Sequence, residues 1–223
     1  MHGMDAYSPK EIAARVNVFC VVKARLPLLT MSMLAMAAGG FIGLGAMYYT
    51  LVAADSTLPF AASRLVGGLA FSLGLILVVV AGAELFTGNN LMVMAWADRR
   101  ITTTELLRNW TMVYIANPFG AAGLAVLVYL SNHGSLNGGA VAAAYIKIAS
   151  AKTSLPFGEA FFKGVLCNLL VCLAVWLALA ARSVTDKVIA VVFPTSAFVA
   201  AGFEHCIANV YFISLGLLLR GQA

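Results

Sequence analysis

Two short segments place ionisable and polar side chains in the middle of long apolar runs of this sequence. Residues 81–89 read AGAELFTGN and residues 201–209 read AGFEHCIAN, so both follow the pattern Ala-Gly-x-Glu-x-x-x-x-Asn. Apolar runs of this length are typical of membrane spans, and ionisable groups at their centre are functional by default. A carboxylate, a hydroxyl and an imidazole offer hydrogen bonding and proton exchange to a polar or charged solute at that depth.

His205 is the side chain in these segments that is best suited to exchange a proton near neutral pH. Moving a bare anion into hydrocarbon costs on the order of tens of kcal/mol in the idealised limit. A pore can lower this cost with hydrogen-bond donors, or it can convert the anion to its neutral acid. We therefore hypothesise that His205 donates a hydrogen bond or a proton to an anion. The alternative is a core histidine whose ring is satisfied by a backbone carbonyl.

Glu84 and Glu204 favour a structural interpretation over a catalytic one. A broken helix leaves backbone N–H groups unpaired, and a buried carboxylate can accept several of them and fix the break. A fixed negative charge beside the path of an anion would also repel the substrate. Asn89 and Asn209 are expected to cap the half-helices that resume after each break.

The composition indicates an integral membrane protein that forms one compact helical domain. The chain has 223 residues, of which 62% are hydrophobic and 10% charged, with a mean hydropathy of +0.94. A soluble domain has about 25% charged residues. No basic cluster with interleaved aromatic residues accompanies the net charge of +5, so binding to nucleic acid is not expected. The four cysteines show no paired spacing, and neither a metal nor another cofactor is predicted.

Hydropathy predicts five membrane spans. The second span is broken at residues 84–90 and the fifth at residues 203–209, whereas residues 131–156 are predicted to form a polar connection. Two halves that each contain one broken span are typical of transporters with a site near the middle of the membrane. The spans cover approximately residues 26–53, 64–96, 106–130, 157–181 and 188–219.

The N-terminal segment, residues 1–25, is predicted to form a short amphipathic helix on the cytoplasmic surface. Ser8 and Pro9 are typical of a helix start, and no signal peptide is predicted before the first span. The positive-inside rule supports a cytoplasmic N-terminus in a multi-pass protein of the cell inner (plasma) membrane. Nine of the 14 Lys and Arg residues would then face the cytoplasm: Lys10, Arg15, Lys23, Arg25, Arg99, Arg100, Arg108, Arg182 and Lys187.

Five segments of the chain together resemble the signatures of the formate/nitrite transporter family, bacterial type. They are residues 64–68, 71–75, 84–89, 164–172 and 202–209, and the resemblance extends over about residues 10–219. It implies an all-α, aquaporin-like bundle with an inverted repeat and two broken helices. It also implies a homopentamer in the lipid membrane, with a pore in each protomer for small monovalent weak-acid anions. Formate and nitrite are the leading substrates, with hydrosulfide and acetate as further candidates.

The resemblance also implies roles for individual side chains along the pore. His205, Thr87 and Asn168 would form a polar chamber between two apolar constrictions, and Lys152 would lie in a vestibule. The outer constriction would consist of Phe71 and Phe198, and the inner one of Leu75, Leu85, Phe86 and Val171. From the residues alone, Thr87 and Asn168 are equally compatible with hydrogen bonding between helices, and Lys152 with a solvated loop.

The sequence departs from the family pattern in the number of its spans. Members of the family have six, of which only five are evident within the transmembrane transport domain predicted over residues 26–223. Repeat one would cover residues 26–131, and repeat two, residues 157–219, would lack the counterpart of the third span. The absence of that sixth helix would expose one wall of the protomer.

Two other functions are compatible with parts of the sequence. An aquaporin-like channel for neutral solutes predicts an Asn-Pro-Ala motif at both breaks, but Asn117 and Pro118 begin only one related tripeptide, in the third span. A membrane-embedded enzyme using Glu204 and His205 as acid and base would lack a nearby nucleophile, metal cluster or second histidine. We therefore expect a passive or proton-coupled transporter rather than an enzyme.

Overall fold

The computed structural model describes residues 7–55 and 57–221, and within these ranges the chain is all-α without a β-strand. An irregular 3₁₀ segment, His133–Gly139, connects the sixth and seventh of its α-helices. The helices are α1 (Pro9–Ala24), α2 (Leu28–Ala53), α3 (Phe60–Ala81), α4 (Phe86–Asn89), α5 (Met92–Ala97), α6 (Thr103–Leu130), α7 (Ala140–Thr153), α8 (Phe157–Ala180), α9 (Val184–Ala201) and α10 (Cys206–Arg220).

Five of these helices are long and apolar enough to cross a membrane, namely α2, α3, α6, α8 and α9. The second predicted span is α3 followed by the short helices α4 and α5, and the fifth is α9 followed by the apolar α10. The prediction of five spans, with the second and fifth broken, is therefore confirmed. The chain has the all-α fold of an integral membrane protein.

Helix α1 begins where its sequence predicts. The Ser8 side chain accepts a hydrogen bond from the backbone N–H of Glu11, while the Glu11 carboxylate accepts one from the backbone N–H of Ser8. This reciprocal capping box satisfies donors that a helix start otherwise leaves unpaired. Ile12, Val16 and Cys20 are buried in a cluster with side chains of α5 and α8. Residues 1–6 of the predicted N-terminal segment lie outside the described residues.

The connection predicted over residues 131–156 is wrong in its central part, which forms helix α7. Val141, Tyr145 and Ala149 bury one face of this helix, and the Tyr145 and Tyr211 hydroxyls lie 3.1 Å apart at its contact with α10. Helix α7 has only 14 residues, too few for a membrane span. A criterion based on span length therefore overlooked an alanine-rich segment of high helix propensity.

Helices α2 and α6 are in backbone contact through glycines. A Cβ atom at Gly39 would overlap the carbonyl oxygen of Asn117, and one at Gly120 would overlap that of Met36. Small residues let membrane helices approach closely, and these two glycines allow such an approach here. This contact brings Asn117 on α6 against the first helix break.

Candidate functional site

The two helix breaks have the same backbone geometry. Helix α3 ends at Gly82 with φ +73°, and α9 ends at Gly202 with φ +75°. Only glycine adopts this left-handed conformation without a steric cost. After the turn, the backbone N–H of Glu84 donates to Leu34 O, and that of Glu204 donates to Lys163 O, so a neighbouring helix holds each extended segment.

Glu84 lies at the centre of a buried polar network at the first break. Its Oε1 is 2.7 Å from Lys23 Nζ, and its Oε2 accepts hydrogen bonds from Asn89 Nδ2 at 2.7 Å and Asn109 Nδ2 at 3.4 Å. No backbone N–H of the described residues donates to this carboxylate, so the expectation that it binds the unpaired groups of the break is wrong. The partner of Glu84 is instead a lysine of α1 that neutralises its charge.

Glu204 repeats this arrangement at the second break. Its Oε2 lies 2.7 Å from Lys152 Nζ on α7, and both side chains are mostly buried. Across the described part of the chain, Glu204 also accepts no backbone N–H, and the same correction applies to it. Lys152 also lines a cavity, and its charge is compensated at short range.

Asparagines stabilise the first break differently from what the sequence predicted. The N-cap positions of α5 and α10, the helices that follow the breaks, are Leu91 and His205, so the expectation that Asn89 and Asn209 cap them is wrong; the short α4 is capped at Leu85. Asn117 on α6 binds the break instead: its Oδ1 accepts from Phe86 N at 2.9 Å, and its Nδ2 donates to the carbonyl oxygens of Ala35 and Glu84 at 2.8 Å. Asn209 Oδ1 is buried without a partner among the described residues.

His205 and Thr87 connect the two breaks through a buried hydrogen bond. His205 Nε2 lies 3.0 Å from Thr87 Oγ1, and His205 Nδ1 accepts from the backbone N–H of Ala208 at 3.2 Å. Because Nδ1 is an acceptor here, the neutral imidazole has its proton on Nε2, as assigned from the hydrogen bonds. Nε2–H then donates to Thr87, whose own hydroxyl hydrogen is available for another acceptor.

Two cavities adjoin the two helix breaks. The first vestibule, of about 160 Å³, is lined by residues that include Lys23, Leu75, Leu85 and Lys187. The second vestibule, of about 320 Å³, is lined by residues that include Arg64, Phe71, Lys152, Phe198 and His205. Thr87 lines neither vestibule and instead borders an open groove between α4 and α8.

The side chains expected to form the constrictions are distributed as follows. The Phe71 and Phe198 rings meet edge to face at 5.7 Å, and Phe198 stacks on the His205 ring at 6.0 Å. Leu75, Leu85 and Val171 are buried in the same core cluster, and the two leucines line the first vestibule. An aromatic pair thus faces one cavity and an aliphatic pair faces the other.

Phe86 and Asn168 lie away from both vestibules. The Phe86 ring packs 4.9 Å from the ring of Tyr114 on α6. Asn168 Oδ1 accepts from Asn90 Nδ2 at 3.0 Å, and both Phe86 and Asn168 line an open groove between α4 and α8. Of the three residues expected in the polar chamber, the hydrogen bonds bring together only Thr87 and His205.

Several residues of the site escaped sequence reasoning. The sequence predicts a cytoplasmic charge at Lys23 and gives no prediction for Asn109, because neither is near a break in the sequence. Asn117 stands out only as part of an Asn-Pro dipeptide, although a carboxamide in the middle of an apolar span is itself a signal. Within the described residues, no group of three or more His, Cys, Asp or Glu side chains is placed to hold a metal ion.

Comparison with known proteins identifies a single family. The family model described as formate/nitrite transporter matches residues 10–223. The formate channel FocA of Escherichia coli strain K12 is 41% identical over 220 residues, which cover 98% of this chain and 77% of that protein. The formate channel FocA of Haemophilus influenzae is 40% identical over 187 residues, which cover 83% of this chain and 66% of the relative's length.

A solved structure has the same architecture. It is described as a pentameric formate channel with formate bound, is 41% identical and superposes with a TM-score of 0.81 over 85% of this chain and 75% of that one. These relatives are named as channels, which agrees with the sequence-based prediction of a transporter rather than an enzyme. The chain belongs to the formate/nitrite transporter family.

Proposed function

We propose that this protein conducts small monovalent weak-acid anions across the cell inner membrane, with formate as its principal substrate. The observation that carries the proposal is the buried hydrogen bond between Thr87 and His205 at 3.0 Å, together with an aromatic pair that lines one vestibule and an aliphatic pair that lines the other. The names of the relatives, which are formate channels, support formate.

The pathway runs from the second vestibule to the first. An anion enters beside Lys152, passes Phe71 and Phe198, meets Thr87 and His205, and leaves past Leu75 and Leu85. The apolar pairs strip water from the anion, which raises the free energy of the bare charge. Neutral donors between them lower that free energy without adding a fixed charge that would trap the anion.

The hydroxyl of Thr87 is the donor best placed to contact the anion. Its oxygen accepts from His205 Nε2–H, so its hydrogen is directed to a different acceptor. Protonation of His205 at Nδ1 would remove the acceptor that binds Ala208 N–H, a bond at the start of α10. We therefore favour hydrogen-bond donation to the anion over proton transfer from the imidazole. The His205→Phe variant described below tests the alternative, in which transport is coupled to protons.

The comparison with known proteins supports a proposal for the assembly, and the distribution of Lys and Arg supports one for the orientation. We propose a homopentamer in the lipid bilayer with one pore in each protomer, because the solved relative is described as pentameric. The N-terminus is proposed to lie in the cytoplasm, since nine Lys and Arg residues would then be on that side. Nitrite, hydrosulfide and acetate are proposed as further substrates because each is a small weak-acid anion.

The test is an anion pulse applied to liposomes that contain the purified protein and a pH indicator. Formate added outside should change the internal pH faster than in protein-free vesicles, and nitrite, hydrosulfide and acetate should follow in a measurable order. His205→Phe should slow the response, whereas His133→Phe, which changes a histidine in the irregular segment, should not. Equal rates of pH change with and without protein would overturn the proposal. If the rate of formate uptake by His205→Phe depends on pH as it does in the wild type, His205 does not donate a proton to the anion.

A further inference from the structure

Arg64 lies at the mouth of the second vestibule, in a sequence segment that the proposed pathway leaves without a role. It is located near the start of α3, and its Nε donates to the carbonyl oxygen of Ala200 at 2.8 Å, near the end of α9. This bond holds the guanidinium over the second helix break. Arg64 is only partly buried and lines the same cavity as Phe71 and His205.

Among the described residues, Arg64 is the cation of the second vestibule that has no carboxylate partner. Lys152 lies 2.7 Å from Glu204, and Lys163 lies 2.7 Å from Glu159. No described carboxylate lies within 4 Å of the Arg64 guanidinium. Because a paired lysine presents little net charge to an incoming anion, Arg64 dominates the local positive potential.

The guanidinium of Arg64 also has N–H donors for which the described residues supply no acceptor. Arginine has five N–H donors in a planar fork, and one of them is used at Ala200 O. No described side chain or backbone oxygen accepts from Nη1 or Nη2. The outer edge of the fork is therefore available to a planar anion with two oxygens, which it would bind in a bidentate manner.

The two helix breaks differ at this point, although they otherwise match. A Cβ atom at Gly202 would lie 2.7 Å from Arg64 Nη2, whereas one at Gly82 would meet no atom within 4 Å. The space above the second break is occupied by the guanidinium, and the same space above the first break is open. The first vestibule has Lys187, near the start of α9, among its lining residues, but no described side chain covers Gly82 as the guanidinium covers Gly202.

We propose that Arg64, rather than Lys152, is the residue that first binds the anion in the second vestibule. The inference rests on the proposed transport function and adds a specificity to it. The planar fork should prefer anions with two equivalent oxygens, such as formate, acetate and nitrite, over hydrosulfide, which presents a single atom. Arg64 then passes the anion to the constriction of Phe71 and Phe198.

The first test measures binding without transport. Saturation-transfer NMR on the formate proton, with the protein purified in detergent, should give an apparent Kd for wild type, R64K, R64Q and the control K147Q. We expect R64Q to weaken formate binding about tenfold, a loss of about 1.4 kcal/mol of binding free energy, because the variant loses the charge and the fork of donors. K147Q removes an exposed lysine of α7 that lines neither vestibule and should stay within about twofold of wild type.

The second test measures flux in liposomes over a range of anion concentrations. R64Q should raise the half-saturating formate concentration without changing the maximal rate, and R64K should lose the preference for formate over hydrosulfide while it keeps charge-dependent uptake. A merely structural role at Ala200 would instead lower the maximal rate for all anions together. Thermal unfolding and size-exclusion profiles check that each variant is folded. If R64Q does not fold, the anion preference of R64K tests the role of Arg64 instead.

The outcomes separate this inference from the proposed function. If the wild type binds formate through Arg64 but shows no flux, the proposed transport function is wrong and the binding site stands. If R64Q transports and binds formate with the wild-type half-saturating concentration and Kd, the role of Arg64 is wrong and the transport function stands. An R64K variant with the wild-type anion preference would overturn bidentate recognition, and a wild type that binds no formate would overturn the site.

Discussion

Lys152 Nζ on α7 lies 2.7 Å from Glu204 at the second helix break, and this ion pair repeats the one between Lys23 on α1 and Glu84 at the first break. In each case a short helix that precedes a long one supplies a lysine to a carboxylate far away in the sequence. The two ion pairs therefore have equivalent positions relative to the two breaks. At each break, the ion pair connects the glutamate to a helix outside the five spans, α1 or α7.

The two ion pairs should differ in their contribution to stability. Removing one partner of a buried pair costs about 3–5 kcal/mol, because it leaves a buried charge uncompensated. Glu84 is 2% exposed in its side chain and binds Lys23, Asn89 and Asn109. Glu204 is 12% exposed and, among the described residues, binds Lys152 alone. We expect Glu84→Gln to lower the thermal unfolding temperature in detergent more than Glu204→Gln does.

Double variants provide the control for this prediction. Lys152→Met combined with Glu204→Gln removes both charges, and it should be less destabilised than the sum of the two single variants. The solvent-exposed pair Arg25 and Glu105 offers a matched comparison, because surface pairs contribute only about 0–1 kcal/mol. Additive effects at Lys152 and Glu204 would show that the short distance does not reflect an energetic coupling.

The contact between α2 and α6 predicts opposite results for two glycines of the same helix. Gly120→Ala would push a Cβ atom into the backbone oxygen of Met36, and overpacking of this kind costs about 1–3 kcal/mol. Gly123→Ala meets no atom within 4 Å, and alanine stabilises a helix by up to about 1 kcal/mol relative to glycine. Thermal unfolding of the two variants in detergent should therefore shift in opposite directions. Equal shifts would show that α2 and α6 can separate to accept the methyl group.

The sequence supported the spans, the breaks and the polar residues within them, because each depends on local patterns of hydropathy and on glycine. It did not indicate the partners of Glu84 and Glu204, since Lys23 and Lys152 lie more than 50 residues away along the chain. Asn117 illustrates the same limit. Any apolar span with an asparagine has the same local signature, and only the glycine-mediated contact with α2 brings this one to the break.

Asn117 should be essential for the first break to form. Replacement by leucine removes three hydrogen bonds to backbone groups of Phe86, Ala35 and Glu84, and each unsatisfied buried group costs about 1–3 kcal/mol. We expect Asn117→Leu to reduce the yield of folded protein severely. Asn168→Leu, which loses bonds to side chains at the open groove, should be milder. Comparable yields for the two variants would contradict the assignment of Asn117 to the break.

Thr87 provides the most direct test of how the anion is stabilised between the constrictions. Thr87→Val keeps the shape of the side chain but removes the hydroxyl, so the anion loses its donor and His205 Nε2–H loses its acceptor. A hydrogen bond to a charged group is worth about 1.5–3 kcal/mol, which corresponds to a loss of formate flux of roughly tenfold or more in liposomes. Thr87→Ser restores the hydroxyl and should recover most of the rate. Wild-type flux in a folded Thr87→Val variant would show that the anion crosses the middle of the membrane without this hydroxyl, and His205 would then have to be the donor by itself.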